Sequence, residues 1–216
     1  MLPATTIWPS QPFETARTPR PRKHSRRYRL VKYDAGSEHV VMDLAASLSE
    51  LKINALDVVV ANAGILKQWG LARAVKKDEL VEHFSINTVG PILLYQATLP
   101  LLEKSAQTPK FFIISSSLGS NTLMDTYLPL QLIAYNVSKS AVNSAAGRIH
   151  REEDRIVVVP VQPGWIATDM GSRAAGWAGM NTSDPPVKID DAISGLMQLF
   201  DKATKAEHSG KFFDQK

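Results

Sequence analysis

Tyr135 and Lys139 stand four residues apart in the pentapeptide YNVSK. On a helix, residues i and i+4 share one face. An ammonium held beside a phenol stabilises the phenolate and lowers the tyrosine pKa from about 10 toward neutrality. A tyrosine so placed can give a proton to a carbonyl oxygen or take one from an alcohol. The spacing alone is common. A second Tyr-x-x-x-Lys occurs at Tyr28–Lys32, inside a stretch that reads as a strand. A lone pair of this kind is ordinarily a surface contact between neighbouring turns.

Its surroundings give the pair weight. ANAG (61–64), ISSSLGS (114–120) and VQPGWIATDMG (161–171) each follow an apolar, β-branched run. FSINTVGP (84–91), which holds Asn87, lies between the first two. Singly, these are bland: NAG and PG are common turns, and three serines can simply end a strand.

The runs before them read as strands at 29–34, 56–64, 110–117 and 155–164, with a last one at 210–213. Continuous Val/Ile runs of this length suit strands buried on both faces of a parallel sheet. Helical patterns separate them at 43–51, 78–87, 91–104, 135–153 and 189–204. Asp78 reads as an N-cap and Pro91 as a first-turn residue, while Pro100 should kink or end its helix. Ile189, Ile193, Leu196, Met197 and Phe200 fall on one face of the last helix, with Asp190 and Asp191 in its first turn. Alternating strands and helices imply an α/β layer fold with right-handed crossovers. In such sheets chemistry gathers at the carboxyl ends of the strands, where these motifs lie.

Composition excludes several alternatives. The chain has 216 residues, 44% hydrophobic, which suits one globular domain. It has no cysteine, and its five histidines stand at no ligand spacing, which speaks against a metal centre. No apolar run approaches the roughly 18–20 residues of a membrane span, and no signal-peptide pattern opens the chain. A cytoplasmic protein is expected. The net charge of +4 is uneven: residues 1–33 carry +7 and the remainder −3. Five of the 13 prolines fall in the first 21 residues. Residues 1–28 therefore read as a basic, poorly ordered head. Phosphate contact with nucleic acid, a targeting presequence and a degenerate folded unit are the readings of that head. The prolines oppose a presequence helix, and the absence of a nucleic-acid module favours the degenerate unit, so no nucleic-acid partner is expected.

Five motifs in this order and placing resemble those of the short-chain dehydrogenase/reductase family, over roughly residues 29–214. The wording of ISSSLGS and PGWIATDMG is closest to the carbonyl-reductase and norsolorinic acid ketoreductase-like branch. The resemblance implies a Rossmann-like doubly wound parallel sheet and an NAD(P)H-dependent oxidoreductase of secondary metabolism, with NADP favoured over NAD. It implies a carbonyl or alcohol substrate and a homodimer or homotetramer, with no metal and no membrane.

By the same resemblance, Tyr135 is the general acid and Lys139 lowers its pKa and binds the nicotinamide ribose. Ser116, three residues before Gly119, orients the substrate oxygen, and Asn87 supports a proton relay through water. Asp34, Asn62, Ala63 and Gly64 would meet the adenosine half of the cofactor. Pro163, Gly164, Ile166 and Thr168 would line the nicotinamide amide. The stretch NTLMDTYLPLQLIA (121–134), longer than usual for the family, should wall the substrate site, and the loop-like segment 171–186 corresponds to a mobile lid. Trp165 and Trp177 are candidates either for stacking on a ring or for core. Together these suggest an apolar, aromatic or polyketide-type carbonyl.

One expected part is not legible. The family opens with a strand, a Thr-Gly-x-x-x-Gly-x-Gly turn and a helix, whose backbone N–H groups grip pyrophosphate. Here the first glycine is Gly36. The domain is therefore expected to span 29–216 without its first β-α unit, with TTIW (5–8) as a remnant of the second strand. In the order 3-2-1-4-5-6-7 this would leave the strands at 29–34 and 56–61 with unpaired edges. The alternative function is a truncated pseudoenzyme that binds no cofactor and acts, if at all, by protein contacts.

Overall fold

Four parallel strands carry the molecule's chemistry-bearing ends: β3 (Val58–Ala61), β4 (Lys110–Ile114), β5 (Val157–Gln162) and β6 (Phe213–Asp214), hydrogen-bonded in that order. Two more, β1 (Thr6–Pro9) and β2 (Leu30–Tyr33), pair parallel as a separate ribbon. The computed structural model describes residues 6–9, 30–37, 39–127, 130–180 and 187–214. Helices α1 (Val40–Glu50), α2 (Lys77–Phe84), α3 (Gly90–Leu102), α4 (Ile133–Glu152), α5 (Asp169–Trp177) and α6 (Ile189–Lys202) connect the strands. A π-turn, Ser85–Val89, joins α2 to α3.

The alternation of side chains along each strand decides which helices cover it. Val59 and Ala61 stand in register with Phe111 and Ile113. With Val158 they face the larger core, packed against Leu44 and Leu48 of α1, Leu94 and Leu102 of α3, and Val142 and Ala146 of α4. Phe112, Val157 and Val159 point to the opposite face, where Leu199, Phe200 and Ala203 close over them. Phe112 and Phe200 lie 4.2 Å apart, centroid to centroid. A parallel sheet with helices on both faces is the expected α/β, Rossmann-like arrangement.

Two lysines finish helix ends that would otherwise leave carbonyls unpaired. Lys110 Nζ donates to Phe200 O at 2.7 Å and Asp201 O at 2.8 Å, capping α6. Lys205 Nζ donates to His150 O at 2.7 Å and also to Glu153 O and Ile156 O, fastening the end of α4 to β5.

Several expectations are corrected. β3 is not buried on both faces: Val58 is 45% and Val60 36% exposed, because α6 reaches β4 and β5 but not this strand. The strand at 30–33 has a partner in Thr6–Pro9, so the head expected at 1–28 contains a strand, at the TTIW stretch. Residues 10–29 lie outside the described residues. Among the described residues, the second edge of β3 has no strand beside it. Helix α2 begins at Lys77, so Asp78 sits in its first turn, and Glu79 accepts from the Lys76 N–H at 2.8 Å. Pro100 does not end α3, which continues to Leu102. The segment read as loop from 171 is helical to Trp177, since Thr168 caps it by accepting from Gly171 N–H at 3.1 Å. Residues 181–186 of the expected lid lie outside the described residues.

Candidate active site

The carboxyl ends of β3, β4 and β5 open into a cleft of about 980 Å³. Each strand supplies one wall segment. β3 delivers Asn62, Ala63 and Gly64, β4 delivers Ser115, Ser116 and Ser117, and β5 delivers Pro163, Gly164 and Ile166. Asp34, just past β2, lines one end, and Thr168 and Tyr135 also border the space.

Tyr135 sits in the first turn of α4, with the Ser116 hydroxyl beside its phenol. Burial pushes the phenol up to about 12, with the neighbouring Ser116 hydroxyl acting in the opposite direction. The expected lowering of this pKa by Lys139 is absent in this geometry. Lys139, one turn further along, is buried, and its Nζ donates to the Ile114 carbonyl at 2.8 Å. Burial lowers its pKa to about 8. A methyl group placed on Gly64 would lie 3.6 Å from Lys139 Nζ and 3.2 Å from Asn87 Oδ1. The ammonium therefore lies directly behind the backbone at Gly64.

The serine turn is positioned by contacts on three sides. Ser115 Oγ bonds Asn143 Oδ1 at 2.6 Å, Ser117 N–H donates to Gln162 Oε1, and Ser116 Oγ accepts from Leu118 N–H at 3.2 Å. Gly119 brings the turn against α4: a Cβ there would stand 2.6 Å from the Lys139 carbonyl carbon. Ser140 Oγ also donates to Gly119 O at 2.9 Å. Only glycine allows this approach, which sets the separation between Ser116 and Tyr135.

Asn87 lies in the π-turn, fully buried, and grips the loop after β3. Its Oδ1 accepts from Ile65 N–H at 2.7 Å, and its Nδ2 donates to Ile65 O and Ser138 Oγ, each at 3.0 Å. Both amide hydrogens are thus engaged, and Oδ1 keeps one lone pair.

The far half of the cleft is apolar. Leu66, Leu118, Leu130, Leu132, Trp165, Met170 and Ala174 line it. The 121–134 stretch contributes Leu130 and Leu132, whereas Leu123 and Met124 face outward. Trp165 donates its indole N–H to Gly171 O at 2.9 Å, which fixes the ring in the wall. Trp177 lies behind it, 5.9 Å from Trp69, in the same apolar cluster. Sequence reading missed Leu66, Met170 and His83, described below. The signal for His83 was its place one turn before Asn87; for Leu66 and Met170 there was none beyond hydrophobicity. Among the described residues no three His, Asp or Glu side chains form a group able to hold a metal, and no helix is long and apolar enough to cross a membrane.

The family model for short chain dehydrogenases matches residues 11–178. The chain belongs to the short-chain dehydrogenase family. Within this family it is 33% identical over 187 residues to norsolorinic acid ketoreductase of Aspergillus parasiticus, covering 85% of this chain and 67% of that protein. It falls in that ketoreductase-like branch of oxidoreductases. The fold matches NADPH-bound carbonyl reductase from chicken fatty liver with a TM-score of 0.75 and 26% identity, over 87% of this chain and 75% of that one. The carbonyl reductase Sniffer of D. melanogaster matches with a TM-score of 0.73 and 27% identity, over 89% and 77%.

The cleft's residues fit the nicotinamide end of a dinucleotide. Gly64 presents bare backbone beside the Lys139 ammonium, and Pro163, Gly164, Ile166 and Thr168 border the same cleft as Tyr135. A glycine-rich pyrophosphate turn is not among the described residues, and no glycine precedes Gly36.

Proposed function

We propose that this short-chain dehydrogenase is an NADPH-dependent carbonyl reductase acting on an apolar, aromatic or polyketide-type ketone. The observation that carries the reading is that Ser116 and Tyr135 border one cleft, with the Ser116 hydroxyl beside the phenol and an apolar lining beyond them. A carbonyl oxygen within reach of both hydroxyls would leave the rest of the molecule against Leu66, Leu130, Leu132 and Trp165.

Reduced nicotinamide, when bound, supplies the hydride. Ser116 donates a hydrogen bond to the oxygen as negative charge builds there, a contact that is stronger in the transition state than before it. Tyr135 gives up its proton to that oxygen. A phenol held at about 12 keeps its proton at neutral pH until an alkoxide, a far stronger base, forms beside it. The Lys139 ammonium offsets the resulting phenolate charge and would hold the ribose of the bound cofactor. Asn87 keeps the Gly64–Ile65 backbone in place, and its free Oδ1 lone pair can accept from a water that resupplies the proton. Asp34, Asn62 and Ala63 take the adenosine side, and Pro163, Gly164, Ile166 and Thr168 take the nicotinamide amide.

NADPH, rather than NADH, is supported by the bound cofactor of the chicken liver enzyme. The test is NADPH consumption by the folded chain across aromatic ketones and quinones. A second reading, a pseudoenzyme acting by protein contacts, is favoured by the edge of β3 that, among the described residues, has no strand beside it. Calorimetric titration with NADPH separates the two: binding supports the reductase, and its absence supports the pseudoenzyme.

A further inference from the structure

His83 is fully buried on α2, and the chemistry proposed above does not use it. Its Nδ1 lies 2.7 Å from the Glu79 carbonyl oxygen, which can only accept, so Nδ1 carries the proton. Its Nε2 then bears a lone pair, and it accepts from the Lys67 backbone N–H at 3.1 Å. One neutral tautomer satisfies both bonds. His83 and Asn87 stand four residues apart, on adjoining turns, and both reach across to the same strand-end loop. Asn87 holds Ile65 by its N–H and carbonyl, and His83 holds Lys67. Leu66 lies between these two fixed points. It is 6% exposed, borders the apolar half of the cleft and packs with Leu132 and Ala174. The Lys67–Glu82 ion pair also ties this loop to α2, but its side chains are half exposed and it contributes little.

We propose that His83 is a positioning residue for substrate: by accepting the Lys67 N–H, it fixes the arch from Ile65 to Lys67 and sets the reach of Leu66 into the carbonyl's pocket. Asn87 fixes the Gly64 side of the same loop. Loss of the His83 bond therefore loosens the substrate wall and leaves the cofactor side in place. This division of labour rests on the carbonyl-reductase reading of the cleft. The bond itself does not.

The test uses the full chain and two kinds of readout. In His83→Gln the side-chain oxygen can occupy the Nε2 position and accept from Lys67. In His83→Asn only the shorter Nδ1-side contact to Glu79 is kept. Amide hydrogen exchange at Lys67, followed by NMR, is expected to stay near the parent rate in His83→Gln and to rise about tenfold in His83→Asn. In the same variants the carbonyl KM rises about fivefold for Asn and little for Gln, while the NADPH KM is unchanged in both. Nitrogen shifts of His83 in the unmutated chain, which need no variant to fold, are expected to report a protonated Nδ1 and a bare Nε2. The opposite tautomer, equal acceleration at Lys67 in both variants, or unchanged exchange in His83→Asn would overturn the proposal. So would accelerated exchange with an unmoved carbonyl KM. If no carbonyl is turned over at all, the reductase reading fails, and the exchange and shift measurements still judge the bond.

Discussion

Lys139 Nζ lies 5.6 Å from the centroid of the Tyr135 ring, yet its hydrogen bond goes to the Ile114 carbonyl at 2.8 Å. The two groups share a helix face, as their spacing requires. Burial nevertheless favours the neutral form of each and drives their pKa values apart: the phenol up to about 12 and the ammonium down to about 8. Both results have one cause, the cost of placing a charge away from water.

That cost is measurable as a pH dependence of stability. In the unfolded chain Lys139 keeps its ordinary value of 10.5, and in the folded chain it titrates near 8. Between these values the unfolded state binds more protons, so lowering the pH favours unfolding. Lys139→Met carries no such term. Relative to this variant, the parent is expected to lose up to roughly 3 kcal/mol as pH falls from 10.5 to 8, with no further loss below. Urea denaturation of both proteins across that range checks it. Parallel stability curves would show that the ammonium is not buried.

Ser116→Ala removes the hydroxyl that holds the phenol pKa down. The phenol should then titrate still higher, and the transition-state oxygen loses a donor. Carbonyl reduction is expected to slow by about 100-fold, with NADPH binding preserved. Steady-state kinetics beside a cofactor titration separate these effects. A variant with parental kcat would remove Ser116 from the site.

Two glycines, one packed against the α4 backbone and one within α4, provide a steric test. A Cβ at Gly119 meets the Lys139 carbonyl carbon at 2.6 Å, so Gly119→Ala must push the serine turn away from α4. It is expected to cost about 1–3 kcal/mol and most of the activity. Gly147, inside α4, has Arg151 Nη1 at 3.6 Å as its nearest neighbour. Gly147→Ala is expected to stabilise by about 0.5–1 kcal/mol through helix propensity alone. Thermal unfolding of the pair would contradict the packing described here if the two signs were alike.

The uneven burial of β3 makes a further contrast. Val59 is 6% exposed and Val60 36%, though they are adjacent and chemically identical. Val59→Thr places a hydroxyl in the larger core and is expected to cost about 1–3 kcal/mol. Val60→Thr should stay within about 0.5 kcal/mol. Equal losses in chemical denaturation would mean that both faces of the strand are covered.

Much of this site was legible because strand ends and helix periodicity fix where side chains go. The β-branched runs located β3, β4 and β5 to within a few residues, and the motifs after them converge on one cleft. Tyr135 and Lys139 were readable as a pair because four residues make one turn. What could not be read depends on partners distant in sequence. Nothing local distinguishes Val59 from Val60; their difference comes from where α6 lies. Helix α5 was hidden by Gly171 and Gly176, whose low propensity is overcome by the Thr168 cap and by burial of Ala174 and Ala175. The direction of the Tyr135 shift depends on burial, which the pentapeptide does not contain. His83 reads as an ordinary helical residue until the loop after β3 is seen to fold back onto it.

The most direct measurement follows loss of NADPH absorbance by the full chain with a panel of aromatic ketones and quinones, with Tyr135→Phe run beside it. The variant keeps the ring and loses only the proton donor. The account predicts ketone-dependent NADPH consumption by the parent, slowed by about 100- to 10,000-fold in the variant at unchanged NADPH affinity. A folded parent that consumes no NADPH with any of these carbonyls, or a variant that matches it, would contradict the account.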